Sequence, residues 1–152
     1  MSFRVEDNDL GLKQIEKDLL TLGEYEIKIG LQSGDTLDDG TPLAAIGAWN
    51  EYGTSDIPSR PFMRSTSDTY KDKWANAQGK LLNRVIDGLA PIMAARTLGE
   101  MIQGDIQRHI RKGNWVMNAP STVKRKKSNK PLIDTGHMRQ SIRYKVTRGG
   151  ED

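Results

Sequence analysis

Three stretches of the 152-residue chain carry side chains of the types that do chemistry. The most pointed is Leu132-Ile-Asp134-Thr-Gly136. An apolar pair followed by Asp-Thr-Gly is the turn that places the carboxylate of retroviral-type aspartic proteases, where two such groups share a proton. That chemistry needs a flap and further strands after the turn, and only 18 residues follow Asp134, many of them polar or basic, so a protease is not expected. The plainer reading is a turn in which Asp134 or Thr135 caps the next helical turn and Gly136 supplies the backbone geometry. Asp134, His137 and Ser141 are also the residue types of a nucleophilic triad, but they crowd into one short segment with no oxyanion donor beside them.

The other histidine, His109, stands among Gln107, Arg108 and Arg111 in a helical pattern, which predicts a solvated side chain rather than a ligand. Two histidines far apart and no cysteine leave neither the ligands of a transition-metal site nor a disulfide framework. No catalytic residue, cofactor or metal is expected. The third stretch is the polybasic run Lys124, Arg125, Lys126 and Lys127 with Lys130, of the kind that grips phosphates, and no acid lies between Ile106 and Ile133. Beyond Trp115 it has no interleaved aromatics to stack on bases, so a solvated loop or a contact with an acidic neighbour is expected ahead of DNA contact.

The formal charge of +3 hides a strong asymmetry. Residues 1–107 hold 11 Lys+Arg against 17 Asp+Glu, a net of −6; residues 108–148 hold 12 Lys+Arg against the single acid Asp134, a net of +11. Such a split steers a basic surface onto an acidic one. An apolar share of 36% with 28% charged residues suits one domain over residues 1–152 that completes its burial by assembling with its own copies. The first nine residues lack the apolar core of a signal peptide, and no window approaches the roughly 18 apolar residues of a membrane span, so export by that route and membrane insertion are not expected.

Positioning falls to a helical run from Pro61 to Lys112. Met63, Tyr70, Trp74, Ala77, Leu81 and Val85 share one face of its first half; Ile92, Ala95, Leu98, Ile102, Ile106 and Ile110 repeat the pattern in the second. Gly99 and Gly104 would admit another backbone. Between the halves, Gly88-Leu-Ala-Pro91 either reverses the chain into a hairpin or only kinks it. Upstream, the spacing predicts a helix over Asp9 to Leu22, capped by Asp7, Asn8 or Asp9 and closed by Gly23, then a strand from Glu24 to Gln32 with Tyr25, Ile27, Ile29 and Leu31 facing inward. Ser33 to Thr41 is a loop, Pro42 to Tyr52 a short, apolar and therefore buried helix, and Thr54 to Arg60 an extended connector. Residues 114–130 read as a basic arm or loop kept irregular by Pro120. A second strand over Ser141 to Thr147 pairs with the first, leaving 147–152 a loose tail. The fold class is α+β, long helices packed against a small, mainly antiparallel β-sheet.

Several clusters occur together and in order: Gly40-Thr-Pro-Leu-Ala44, Trp49-Asn-Glu-Tyr-Gly53, Ile57-Pro-Ser-Arg-Pro-Phe-Met-Arg64, Gly113-Asn-Trp115, Pro120, Thr122, and Pro131-Leu-Ile-Asp-Thr-Gly-His-Met-Arg-Gln-Ser-Ile142. From about Gly23 to Val146 the chain resembles the tail-completion or neck proteins of long-tailed bacteriophages and prophages, also described as virion morphogenesis proteins. Two departures are visible: no proline soon follows Trp115, and Lys126-Lys127 stands where Lys-Gly is commoner. The resemblance implies a non-enzymatic virion subunit made in the bacterial cytoplasm, six copies forming a ring at the head–tail joint around the DNA channel. Its partners would be its own copies, the head-closure or connector protein, and the tail terminator or tail tube, with non-specific proximity to DNA.

On that resemblance, the expected subunit or partner interface comprises Asn50, Glu51, Tyr52, Gly53, Pro58, Arg60, Pro61, Phe62, Arg64, Asp134, Thr135, Gly136, Arg139 and Ser141. Arg60, Pro61, Phe62 and Arg64 would form a rigid plug, Asn50 to Gly53 its seat, and Asp134 to Ser141 a cap on the second strand, within one subunit or across two. The polybasic run would touch phosphate or an acidic neighbour. The alternative reading is a basic DNA-contacting packaging or regulatory module.

Overall fold

Apolar stripes on two long helices need a common partner, and in the computed structural model they find it in each other. The structure describes residue 9 and residues 11–125, 130–133 and 136–149. α3 (Phe62–Ile86) and α4 (Pro91–Lys112) form an antiparallel hairpin: Ser65 meets His109, Trp74 meets Asp105, and Val85 packs with Ala94. The choice at Gly88–Pro91 is therefore reversal. Gly88 takes φ 101°, a conformation that favours glycine, Leu89 N–H donates to the Arg84 carbonyl at 2.8 Å, and Pro91 occupies the first turn of α4, where its missing N–H is not needed.

α4 also covers a two-stranded antiparallel sheet of β1 (Tyr25–Leu31) and β2 (Ile142–Arg148). The register pairs Ile27 with Val146, Ile29 with Tyr144 and Leu31 with Ile142, so the alternating apolar residues of the two strands share one face. Gln107 donates to the Ile142 carbonyl at 3.1 Å, and Tyr144 N–H donates to the Gln103 side chain at 2.9 Å, which satisfies backbone groups of β2 from the helix above. Gly99 admits the Tyr144 ring, since a Cβ there would lie 2.5 Å from the ring edge. The expected close backbone at Gly99 is thus an aromatic side chain, and Gly104 has nothing within 4 Å of such an atom. β2 runs through Thr147 and Arg148, paired with Glu26 and Tyr25, so these residues belong to the sheet and not to a loose tail.

The main core joins Leu43, Phe62, Ile106, Ile110, Leu132, Met138 and Ile142; a second cluster of Leu81, Val85 and Ala94 lies toward the other end of the hairpin. α1 (Leu12–Gly23) lays Leu19 and Leu22 on that second cluster, while Leu12 and Leu20 face outward. Its entry is set by Gly11 in the left-handed region, with the Asp9 carboxylate accepting from Gly11 N–H at 2.7 Å. Asp7 and Asn8 lie outside the described residues.

Two expectations need correction. α2 (Leu43–Tyr52) is not buried all round: Leu43, Gly47 and Glu51 form its inner stripe, while Ala44, Ala48, Trp49 and Tyr52 are exposed. Its apolar composition predicted burial, but a helix in an outer layer buries one side only. Nor is the arm irregular throughout. Pro120 begins a short helix, α5 (Pro120–Arg125), because a proline fits a helix's first turn. α6 (His137–Gln140) is the helical turn expected before β2; it starts at Gly136 with φ 86°, the left-handed geometry anticipated there. The caps proposed for it, Asp134 and Thr135, lie outside the described residues.

Candidate functional site

Two of the sequence clusters, Asn50–Gly53 and Ile57–Arg64, meet in one junction, within a single chain, at the start of α3. Gly53 ends α2 with φ 79°, and a Cβ there would lie 3.0 Å from Ser59 N and 3.1 Å from the Ile57 carbonyl, so the turn is built for glycine. The loop closes through Thr54, whose N–H donates to the Ile57 carbonyl at 2.8 Å and whose hydroxyl accepts from Asp56 and Ile57 N–H. The chain then returns against α2: Arg60 N–H donates to the Asn50 carbonyl at 2.6 Å, and the Ser59 hydroxyl to the Glu51 carbonyl at 2.9 Å. Pro61 (φ −73°, ψ 68°) forms an inverse γ-turn, closed by Phe62 N–H on the Arg60 carbonyl.

Glu51 then caps α3 from a neighbouring helix. Its carboxylate accepts from Met63 N–H at 2.9 Å and Arg64 N–H at 3.1 Å, two of the orphan donors of the first turn, and from Arg64 Nε at 3.0 Å. Phe62 beside it is 2% exposed, and Glu51 itself 6%.

Arg60, 4% exposed, is the junction's second device. Nε donates to the Val116 carbonyl at 2.7 Å, Nη2 to the Met117 carbonyl at 3.3 Å and to Asn118 Oδ1 at 3.0 Å, and Nη1 to Asn50 Oδ1 at 3.2 Å. Burial lowers its pKa, yet a guanidinium stays charged at neutral pH. The side chain thus ties residues 116–118, the root of the arm, to α2. Arg60→Ala should cost about 1–3 kcal/mol, the scale for losing buried hydrogen bonds to a charged group. Arg60→Lys should recover little of this, since a point charge cannot reproduce the planar fork. Tryptic cleavage after Lys112 and Lys124 should accelerate in both variants; unchanged cleavage would mean the arm is held by other contacts.

Glu51, Arg60 and Phe62 are therefore intramolecular, their side chains enclosed by their own chain. The exposed members of the expected interface are Tyr52, Pro58 and Arg64; Arg139 is half-buried, Gly136 is buried, and Ser141 follows α6. Tyr52 is 73% exposed, and the Arg64 guanidinium sits 5.4 Å from its ring centroid. Lys124 is exposed on α5 and Lys130 is also exposed, while Lys126 and Lys127 lie outside the described residues, as does the side chain of Arg125.

Beside the clamp opens a cleft of about 700 Å3 between α2, the connector, the arm and α6. Its walls are largely apolar, and Asp38, Asp39 and Asp56 line it with exposed side chains. The acids come from the 33–41 loop and the connector. The loop is pinned by a Thr36–Pro42 bridge and by Leu43 N–H on the Asp35 carbonyl at 2.9 Å. Asp39 accepts from Thr41 N–H at 2.9 Å, which holds its pKa below the usual carboxylate value.

A third cluster lies between the long helices and escaped the sequence reading. Asp105, 1% exposed, accepts from Lys73 Nζ with both oxygens at 2.7 Å, from Trp74 Nε1 at 2.9 Å and from Arg108 at 2.7 Å. Burial alone would raise its pKa; the hydrogen bonds from Lys73 and Trp74 and the charges of Lys73 and Arg108 together outweigh it and hold the pKa low. The available signal was an acid beside Ile102 and Ile106 on the apolar stripe. One turn on, His109 corrects another expectation: it is half-buried, not solvated, because its ring packs edge-on against Tyr70 and Trp115 while Nε2 lies 3.0 Å from the Ser65 hydroxyl. Burial lowers its pKa. His137 is exposed on α6, and Ser141 N–H donates to its backbone carbonyl.

Among the described residues no group of three or more His, Asp or Glu is arranged to hold a metal ion, and no helix is long and apolar enough to cross a membrane. Comparison with protein-family models, with curated proteins and with solved structures finds no match to the chain.

Proposed function

We propose that the chain is a non-enzymatic structural subunit of the head–tail joint of a long-tailed bacteriophage, acting in the virion as one of six copies in a ring between capsid connector and tail. The observation that carries this reading is the junction. Glu51, Arg60, Phe62 and Arg64, which carry the sequence resemblance, build a rigid corner, and aromatic and apolar side chains stand exposed around it. Trp49 and Tyr52 project from α2; Val116 and Met117 project from the segment whose carbonyls Arg60 holds. A shallow groove of about 320 Å3 runs past Ala44, Ala48 and Tyr52 on the same helix. Exposed apolar surface on a fixed frame suits docking to other subunits, which need preformed shape more than reactive groups.

Light scattering and negative-stain imaging of the purified chain test the proposal. Closed rings that retain no DNA in a salt-sensitive manner are the expected result. A monomer that binds DNA tightly would favour the basic DNA-contacting module instead, and a monomer at high concentration with no affinity for neck or tail proteins would end the structural reading.

A further inference from the structure

We propose that the acidic cleft beside α2 is the receptor for the basic segment Lys124–Lys130 of a neighbouring copy. This deepens the ring reading and rests on it, because it names the two surfaces that join.

The cleft has the size of a ligand site, about 700 Å3, and Leu43, Ile46, Ile57, Leu132 and Met138 form the apolar part of its walls. Three exposed carboxylates border it, Asp38, Asp39 and Asp56, against one buried cation, Arg60, and the exposed ring of His137; Asp39 is kept ionised by its turn. An occupant therefore needs cationic groups flanking a chain that tolerates an apolar bed. The excess of carboxylates over the single arginine disfavours a nucleic acid at this site.

The chain itself contains the complementary surface. Residues 108–148 carry a net of +11, and the densest part, Lys124 to Lys130, follows directly on the arm segment 117–122 that contributes Met117, Asn118, Ala119 and Thr122 to the cleft wall. The basic run thus begins at the border of its own cleft. Entering the cleft of the next copy makes a contact between two different surfaces, and such head-to-tail contacts generate rings when the rotation closes. The Arg60 clamp gains a purpose here: by fixing residues 116–118 it sets the point from which the basic run departs.

The test is a charge swap in the full chain, read as the concentration dependence of assembly by sedimentation velocity. Asp38→Lys with Asp56→Lys makes cleft and arm both basic; Lys124→Glu with Lys126→Glu and Lys127→Glu makes both acidic. Each set alone should weaken self-association by at least about tenfold, since it brings like charges together across the interface. The two sets combined in one chain should restore rings, which general damage to the fold would not allow. Wild-type assembly should also fall steeply as salt rises. If the wild type forms rings and the Asp38/Asp56 variant forms them equally well, the cleft is not the receptor, although the ring reading survives. If the wild type never self-associates, the receptor proposal falls, and if it also shows no affinity for neck or tail proteins the ring reading falls with it.

Discussion

Replacing Phe62 with alanine should remove about 3–5 kcal/mol of stability, a large fraction of the 5–15 kcal/mol that holds a domain of this kind together. The ring is almost wholly enclosed, in the cluster that joins α2 through Leu43, α4 through Ile106 and Ile110, and the sheet through Ile142. Truncation forfeits the transfer free energy of the ring and leaves a cavity that these neighbours cannot readily close, because they are fixed on three different elements. The position is doubly fixed. Phe62 opens α3 directly after the γ-turn at Pro61, and Glu51 holds the next two backbone N–H groups. Phe62→Leu keeps much of the volume and should cost clearly less than the alanine change. Chemical denaturation followed by circular dichroism measures both. A loss under about 1 kcal/mol for Phe62→Ala would remove the aromatic anchor from this description.

Asp105→Asn should be the most damaging single-atom change. The carboxylate is enclosed between α3 and α4 and accepts four hydrogen bonds from Lys73, Trp74 and Arg108. An amide would keep one acceptor oxygen, present a donor to two cations and leave their charge uncompensated. Breaking a fully buried pair costs about 3–5 kcal/mol; Lys73 and Arg108 are about half exposed, so solvent takes up part of the loss and about 2–4 kcal/mol is expected.

The pH dependence has a definite sign. The folded-state pKa of Asp105 lies below the ordinary value of about 4, so its contribution is complete above that value and disappears as pH falls through the folded one. His109 acts at higher pH. Its lowered pKa means that the neutral ring stabilises the fold fully above about pH 6.5, and stability declines as acid forces a proton onto it. Wild-type stability should therefore fall in two stages on acidification. In Asp105→Asn the lower stage should vanish, and the gap between the two proteins should narrow as pH falls through the folded-state pKa of Asp105. A constant gap at all pH values would show that the carboxylate's charge is not what matters.

The elements whose side chains sort by simple periodicity were legible in the sequence. The period of two in Tyr25 to Leu31 and Ile142 to Val146 gave both strands and their shared inner face, and the stripes from Met63 to Val85 and Ile92 to Ile110 gave both long helices. Periodicity reports which side of an element avoids water. It does not report what lies opposite, which is why α2, mostly apolar in composition, was expected to be buried and instead exposes Trp49 and Tyr52.

The candidate site was legible as a set of residues but not as an arrangement. Asn50 to Gly53 and Arg60 to Arg64 stood out together, yet nothing local says that Glu51 caps a helix it does not belong to, or that Arg60 reaches carbonyls 56 and 57 residues away. Asp105 and His109 were missed or misread for the same cause: a polar group on an apolar stripe looks out of place until its partner on the facing helix is known.

By itself, then, the sequence determined the α+β class, the helix and strand faces and the uneven distribution of charge, because each depends on residues near one another along the chain. Only the tertiary structure decided the hairpin at Gly88, the enclosure of Glu51, Arg60, Phe62 and Asp105, and the acidic cleft facing the arm. Those depend on which distant groups exclude water from one another, and that is a property of the packed chain.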